Sequence, residues 1–280
     1  MRPDWLDRRE YPFESHWLDV GAGRLHYVDE GQGAPVVMVH GTPTWSFLYR
    51  HLVKGLRGRH RCIVPDHLGF GLSDRPRDWS YRPEDQARNL ARLVTALELK
   101  DVTLVVHDYG GPIGLAYALE QPDNVRRLVV FNTWMWATAG DRHFARFARL
   151  LGGRLGRFLY ARGFSVRVML RHVIADKRRY TRQVEQHYLR ALDGHATWVY
   201  AREVVGSSSW YDSLWQQRGR IAGIPALVIW GMKDPAFGAY LERWRGVFER
   251  AEVLELDCGH APPEERAPEV LPVIERFLAA

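Results

Sequence analysis

The segment from Val102 to Glu120 constrains the fold of this chain more than any other. An apolar run, Val102 to Val106, is followed by the charged Asp108, then by two glycines and a helix-forming segment, Leu115 to Glu120. A strand, a sharp turn and a helix in this order lift the residue at the tip of the turn clear of the sheet, where it can act as a nucleophile. The pattern therefore predicts Asp108 as a carboxylate nucleophile, although an aspartate here could also serve only as a helix N-cap.

Further apolar runs predict other strands of the same sheet, separated by helix-forming segments. Continuous runs are typical of strands that are covered on both faces, whereas alternating runs around Gly21 to Gly23 predict an antiparallel hairpin at a sheet edge. Strands that alternate with helices indicate an α/β fold with a mostly parallel, doubly wound sheet. The predicted strands are Trp17–Val20, Arg24–Asp29, Pro35–His40, Arg61–Pro65, Val102–Val106, Val125–Phe131, Ile224–Trp230 and Glu252–Leu256, and the last helices are Tyr240–Phe248 and Pro268–Leu278.

The periodicity changes after Asn132. Residues 134–218 are rich in arginine and aromatic residues and lack the pattern of a buried strand. We therefore predict a core formed by residues 1–133 and 219–280, with residues 134–218 inserted as a helical cap. In doubly wound folds ligands bind at the carboxyl ends of the strands, and we expect the cap to cover that edge.

Composition narrows the classes of function. The net charge of +6 comes mostly from scattered arginines, so a solvated surface explains it better than nucleic-acid binding. No apolar run reaches 18 residues and the first residues are polar, so we expect neither a membrane partner nor a signal peptide. Two cysteines, Cys62 and Cys258, without metal-binding spacing predict reduced structural thiols in a cytoplasmic protein with no metal site.

Three chemically competent residues follow predicted strands in the order Asp108, Asp234, His260. A carboxylate can attack an electrophilic sp3 carbon and form an ester with it. His260 would then activate water to hydrolyse the ester, and Asp234 would orient the imidazole. Each acid also has a structural alternative, since Asp234 precedes Pro235 and could simply initiate a turn. His260 could likewise be an ordinary surface histidine.

A leaving group or oxyanion needs hydrogen-bond donors beside the nucleophile. The backbone N–H of Tyr109 is one candidate, because it follows Asp108 directly. The second candidate is Thr42, in the loop after the strand that ends at His40, and its hydroxyl is a further donor.

Four motifs together resemble the haloalkane dehalogenases and, less closely, the epoxide hydrolases of the same α/β-hydrolase fold. They are His40–Arg50 (HGTPTWSFLYR), Pro65–Asp74 (PDHLGFGLSD), Val106–Gly111 (VHDYGG) and Trp230–Asp234 (WGMKD). The chain order of the two acids and the histidine is the order of that fold. The resemblance implies a cofactor-free, two-step hydrolysis of a small, largely apolar organic substrate, with water as the second reactant, by a monomer or homodimer.

One position departs from the dehalogenase pattern. Where that family usually has a tryptophan whose indole N–H holds the halide, this chain has Tyr109. The family's second halide donor is an asparagine, where this chain has Thr42, or a cap tryptophan, for which Trp134, Trp136, Trp210 and Trp215 are candidates. We predict Trp45, Trp134, Trp136 and Trp210 as pocket residues.

The sequence is also compatible with other functions. In an epoxide hydrolase, cap tyrosines would protonate the epoxide oxygen, and the candidates are Tyr160, Tyr180, Tyr188 and Tyr200. β-Lactone or haloacid chemistry is a weaker alternative, and a serine esterase is disfavoured because no serine occupies the turn. A non-catalytic ligand-binding module is a hypothesis of another class, but it has no need of all three catalytic residues.

Overall fold

The computed structural model describes residues 3–141, 144–145, 148 and 153–280. Within these residues eight strands form one sheet in the order β1-β2-β4-β3-β5-β6-β7-β8. The first two strands pair antiparallel, as do β2 and β4, and all other pairs are parallel. The strands are β1 His16–Asp19, β2 Arg24–Glu30, β3 Pro35–Val39, β4 Arg61–Pro65, β5 Val102–Asp108, β6 Val125–Thr133, β7 Ala226–Gly231 and β8 Ala251–Leu256.

Helices flank this sheet and also fill the region between β6 and β7. In order they are α1 Arg50–Leu56, α2 Pro83–Ala96, α3 Gly110–Glu120, α4 Arg154–Ala161, α5 Arg171–Val173, α6 Arg182–Arg190, α7 Gly194–Gly206, α8 Ser208–Gln216, α9 Leu241–Arg245, α10 Pro262–Glu265 and α11 Ala267–Ala279. A π-helical segment, Ser165–Leu170, runs directly into α5. In the described parts of residues 134–225 no strand occurs.

The core divides into two hydrophobic clusters, one on each face of the sheet. Alternate residues of β3 show the division, since Val37 and Val39 belong to one cluster while Val36 and Met38 belong to the other. This is the period-2 alternation of a strand with both faces covered. The mostly parallel α/β fold predicted from the apolar runs is confirmed.

Element ends differ from the sequence predictions where local chemistry intervenes. The helix predicted from Tyr240 to Phe248 is shorter, because α9 ends at Arg245 and a glycine follows it. Conversely, β5 continues through His107 to Asp108, because Asp108 still pairs with Thr133 of β6 after an irregularity in register. Among the described residues no helix is long and apolar enough to cross a membrane.

Candidate active site

Asp108 lies at the tip of the turn between β5 and α3. Its φ of 53° is in the left-handed region, which a residue with a side chain adopts only under strain. The turn is so tight that a Cβ on Gly110 would meet the Val39 carbonyl oxygen, and one on Gly111 would meet the Thr133 side chain. The Thr133 hydroxyl donates to the Asp108 carbonyl at 2.5 Å and so ties the turn to β6.

His260 lies between the two aspartates. Its Nε2 is 3.3 Å from Asp108 Oδ2, and its Nδ1 is 2.8 Å from Asp234 Oδ2. The Asn132 side-chain amide donates to Asp234 Oδ2 at 3.0 Å, and the Ala236 N–H donates to Asp234 Oδ1 at 2.8 Å. All three predicted catalytic residues are thus adjacent and buried, and the second acid is itself held by two donors.

The loop that carries His260 is fixed by a single buried carboxylate. Glu265 Oε2 accepts hydrogen bonds from the N–H of Gly259 at 3.1 Å and from the N–H groups of Ala175 and Asp176 at 2.8 Å each. In addition, the His260 N–H donates to the Val173 carbonyl at 2.9 Å. The segment 173–176, which comes from the region predicted as the cap, therefore holds the histidine loop in place.

The two aspartates control the charge of His260. Burial alone would lower the pKa of the imidazole, but the adjacent Asp234 and Asp108 outweigh burial and raise it to about 10. Burial likewise favours the neutral form of Asp234, and the opposing His260 more than compensates, so the pKa of that carboxyl is lowered. The resting site therefore holds an imidazolium between two carboxylates.

This charge arrangement predicts a pH-dependent stability. Because the folded pKa of His260 lies above the ordinary 6.5, its contribution is complete below about pH 6.5 and is lost as the pH rises through about 10. We expect the free energy of unfolding from urea titrations to fall across this window by up to about 1.4 kcal/mol per pH unit. Below about pH 8.5, where the buried thiols and phenols do not yet titrate, the decline should be absent in His260→Phe and retained in His172→Phe, a control at an exposed histidine. Equal slopes in both variants would contradict the assignment.

The loop after β3 contacts the nucleophile directly. The Thr42 N–H donates to Asp108 Oδ1 at 2.9 Å, and a Cβ on Gly41 would overlap the Asp108 carboxylate. The Thr42 hydroxyl is buried and has no hydrogen-bond partner among the described residues. Thr42, predicted as a donor to the leaving group or oxyanion, thus lies beside the nucleophile and donates to Asp108 itself through its backbone N–H.

Aromatic side chains line the site beside Asp108; we call these residues, Tyr109, Trp134, Tyr200, Tyr211 and Phe237, the aromatic wall. The ring centroid of Tyr109 lies 4.8 Å from that of Trp134 and 5.5 Å from that of Tyr200. Trp134 in turn lies 5.5 Å from Tyr211 and 5.1 Å from Phe237, whose ring is 5.4 Å from that of His260. The wall therefore extends from the nucleophile to the histidine.

Three polar atoms of the aromatic wall are buried without a hydrogen-bond partner among the described residues. They are Nε1 of Trp134 and the hydroxyl oxygens of Tyr200 and Tyr211. Burial of an unpaired polar group costs about 1–3 kcal/mol, so such atoms in a catalytic site are candidates for ligand contacts. The site therefore offers an apolar surface with a few donors, as expected for a small organic substrate.

Comparison with known proteins identifies the family. A profile of the alpha/beta hydrolase fold matches residues 34–267. The chain belongs to the α/β-hydrolase family. This α/β-hydrolase is 36% identical to haloalkane dehalogenase 2 of Mycobacterium tuberculosis, over 97% of both chains. It is 34% identical to a cis-3-alkyl-4-alkyloxetan-2-one decarboxylase of Shewanella oneidensis, over 95% of this chain and 89% of that one.

A solved structure gives the same fold. The epoxide hydrolase CorEH superposes with a TM-score of 0.82 over 95% of this chain and 99% of its own, at 23% identity. At that identity the likeness concerns the fold. Together with its relatives, the family membership makes this α/β-hydrolase an enzyme with haloalkane dehalogenase homologues, as the four motifs predicted.

The four tryptophans predicted for the pocket lie in different places in this α/β-hydrolase. Trp134 is in the aromatic wall, and the ring of the half-buried Trp210 lies 5.4 Å from that of Tyr211 in the wall. Trp136 packs instead against Trp215, Tyr240 and Trp244. Trp45 packs against Trp5, Tyr11 and Phe47, on the opposite face of the sheet from Trp134. These ring contacts support Trp134 and give no support to Trp45 or Trp136.

The tyrosines considered as proton donors divide in the same way. Tyr200 lies in the aromatic wall, and Tyr160 is close enough to Tyr109 to contribute to raising the pKa of that phenol, after burial and Asp108. Tyr180 stacks on Tyr188, and the Tyr188 hydroxyl donates to Glu264 at 2.9 Å, in the cluster on the other sheet face. Of the four, Tyr200 is therefore the one that contacts Tyr109, the residue next to the nucleophile.

Sequence reasoning missed Tyr211, Phe237 and Glu265. Phe237 stands three residues after Asp234, so its place in the catalytic loop was a usable signal. Glu265 follows His260 by five residues, but nothing in the local pattern separates it from the neighbouring Glu264. Tyr211 lies in α8 among other aromatic residues, where no periodicity distinguishes it.

Neither a metal site nor a reactive thiol is found among the described residues. Among the residues that the structure describes, no group of three His, Cys, Asp or Glu side chains is arranged to hold a metal ion. Cys62 and Cys258 are free and buried, and burial raises the pKa of both thiols to about 12. Such thiols stay protonated and are poor nucleophiles, as expected for structural cysteines.

Proposed function

We propose that this α/β-hydrolase cleaves the carbon–halogen bond of small haloalkanes by nucleophilic displacement at Asp108. The observation that carries the proposal is the geometry of the nucleophile. One oxygen of Asp108 accepts from the Thr42 N–H at 2.9 Å, while the other lies 3.3 Å from His260 Nε2. A carboxylate that is fixed in this way and adjoins an apolar aromatic surface suits attack on an sp3 carbon.

In the first step an Asp108 oxygen forms a bond to the halogen-bearing carbon, and the halide leaves with the bonding electron pair. The product is an alkyl ester of Asp108. The indole N–H of Trp134 and the backbone N–H of Tyr109 are the donors we assign to the departing halide. Hydrogen bonds to a charged group contribute about 1.5–3 kcal/mol each, so Trp134 would partly replace the indole that is absent at Tyr109.

Ester formation also prepares the second step. It neutralises Asp108 and so removes one of the two carboxylates that raise the pKa of His260. The imidazole can then release its proton and act as a general base on water. Water attacks the ester carbonyl carbon, the alcohol leaves, and Asp108 is restored as a carboxylate, while Asp234 stabilises the imidazolium that forms.

A second candidate is decarboxylation of a β-lactone, the ring named in the oxetan-2-one decarboxylases of Shewanella oneidensis and Xanthomonas campestris. The buried, unpartnered hydroxyls of Tyr200 and Tyr211 favour it, because they could donate to a carboxylate. Asp108 would attack the sp3 ring carbon that bears the ring oxygen. The bond between that carbon and the ring oxygen would break and leave a carboxylate. Loss of CO2 would then form the alkene and expel the Asp108 carboxylate, so this route consumes no water.

Trapping the covalent intermediate tests the proposal. In His260→Phe the ester at Asp108 should form from 1-bromobutane and persist, because the general base is missing. Intact-mass spectrometry, followed by peptide mapping, should locate a butyl group on Asp108. His172→Phe, at an exposed position, is the matched control and should turn over without an adduct.

Parallel substrates separate the candidates. A cis-disubstituted β-lactone that the wild-type enzyme converts to alkene and CO2, with no adduct from bromoalkanes in His260→Phe, would favour the decarboxylase. An adduct from 1,2-epoxybutane alone would favour an epoxide hydrolase. If Asp108→Asn, in a His260→Phe background, still acquires the butyl group, Asp108 is not the nucleophile.

A further inference from the structure

Helix α4 and the π-helical segment after it combine exposed apolar side chains with arginines that form no ion pair with the described residues. We call residues Arg154 to Arg171 the cap face. Among the described residues the exposed large hydrophobic side chains are Leu155 at 63%, Phe158 at 53%, Val168 at 49% and Met232 at 45%. Three of these four lie within the cap face, so the exposed apolar side chains are concentrated in one stretch of the chain.

The charge of this region is of one sign. From Arg142 to Ala175 the sequence contains eight arginines and no aspartate or glutamate. In the structure Arg154, Arg157, Arg162 and Arg167 are all exposed, and none forms an ion pair with a carboxylate of the described residues. Arg171, the next arginine, pairs with Glu185 at 2.8 Å. The cap face therefore carries uncompensated positive charge beside its apolar side chains.

The cap face packs on a small cluster of buried side chains. Tyr160 of α4 and Ala201 of α7 form a small buried cluster, against which Phe164, Met169 and Trp198 also pack. Helix α4 thus buries Gly156 and Tyr160 and presents Leu155 and Phe158, three residues apart, on its outer side. The Arg162 guanidinium lies 4.7 Å from the Phe158 ring centroid, which places cation and aromatic ring side by side.

We propose that the cap face docks on the surface of an anionic lipid membrane. Arginines bind phosphate oxygens with several donors, while the neighbouring leucine, phenylalanine and valine enter the boundary of the acyl chains. Nucleic acid would satisfy the arginines but would leave the three apolar side chains exposed. The proposal replaces, for this surface, the expectation of an ordinary solvated face, and it does not depend on which bond the enzyme cleaves.

The position of the cap face connects docking to substrate supply. Tyr160, on the buried side of α4, packs against Ala201 of α7, and the neighbouring Tyr200 of α7 lies 5.5 Å from Tyr109 in the candidate site. The cap face is therefore the outer side of α4. The inner side of α4 packs on α7, which carries Tyr200 of the candidate site. Apolar substrates that partition into the bilayer would be concentrated at this side of the enzyme.

Vesicle sedimentation of the full chain tests the proposal. The protein should sediment with phosphatidylcholine vesicles that contain phosphatidylglycerol, should bind pure phosphatidylcholine weakly, and should be released by high salt. Each arginine near an anionic surface contributes about a five-fold factor, so Arg157→Gln/Arg162→Gln/Arg167→Gln should weaken binding by about a hundred-fold. Leu155→Ser/Phe158→Ser should weaken it by about ten-fold or more.

Two control variants carry the same changes elsewhere. Arg59→Gln/Arg220→Gln/Arg250→Gln removes three exposed arginines that lie outside the cap face. Met232→Ser removes the fourth of the exposed large apolar side chains named above. Both should bind vesicles within about two-fold of wild type, and thermal unfolding should confirm that every variant is folded. No binding to anionic vesicles, or an equal loss in the controls, would overturn the proposal. Stronger binding to duplex DNA or to polyglutamate than to the vesicles would also overturn it, in favour of a nucleic-acid or an acidic protein partner.

Discussion

Asp234→Asn should slow turnover by about 10⁴-fold, the effect expected when a neutral amide replaces the acid that orients a catalytic histidine. Asp234 Oδ2 accepts from His260 Nδ1 at 2.8 Å, and an amide nitrogen at that place would favour the wrong tautomer of the imidazole. Since the displacement step requires neither Asp234 nor His260, the ester should still form. Steady-state turnover of 1-bromobutane should therefore collapse, while intact-mass spectra show the accumulated adduct.

Asp257→Asn is the matched control. Asp257 lies in the same loop as His260 but is exposed and pairs with Lys233 at the surface. Its replacement should change turnover by less than about two-fold, in line with the small free energies of exposed ion pairs. If Asp234→Asn retained turnover within ten-fold of wild type, the proposed role of Asp234 would have to be abandoned.

Glu264→Gln should lower the free energy of unfolding by up to about 3–5 kcal/mol, because among the described residues it leaves the buried guanidinium of Arg50 with only the partly exposed Glu10 as a carboxylate partner. The guanidinium of Arg50 donates to the two oxygens of Glu264 at 2.7 and 2.6 Å, and both side chains are only 2% exposed. Tyr188 of α6 donates to the same carboxylate. The pair therefore joins helix α1, helix α10 and the helical region between β6 and β7.

Urea unfolding of three variants shows whether the loss of stability in Glu264→Gln comes from the buried ion pair or would follow the substitution of any paired glutamate. Glu242→Gln breaks an exposed pair with Arg245 and should cost no more than about 1 kcal/mol. Arg50→Met/Glu264→Met should be less destabilised than Glu264→Gln, since replacing a whole buried ion pair with apolar groups is often nearly neutral. A loss below about 1 kcal/mol in Glu264→Gln would mean that the pair contributes little.

The sequence predicted the core of the site because strand ends are visible in it. Asp108, Asp234 and His260 each follow an apolar run, and the carboxyl ends of parallel strands meet at one sheet edge. The chain order of the three residues then fits one known arrangement. Local pattern and topology thus agree for these residues, which is the condition under which sequence reasoning succeeds.

Long-range pairs and the aromatic wall could not be predicted in this way. Arg50 and Glu264 are 214 positions apart, and their local sequences give no sign that either is buried. Trp45 and Trp134 are equally apolar, yet a loop directs one to each face of the sheet. Where helices pack from an insertion without strand periodicity, burial depends on tertiary contacts that a single sequence does not display.

The four hydrogen bonds of Glu265 limit how this enzyme could be rebuilt. Two of their donors, the N–H groups of Ala175 and Asp176, belong to the helical region between β6 and β7, and two, those of Gly259 and Ala261, flank His260. A chimera that receives its insertion from a relative would inherit a misplaced histidine unless the incoming segment presents two amides at the same place. The helical region between β6 and β7 is therefore not an interchangeable lid, because it supplies part of the contacts that position His260.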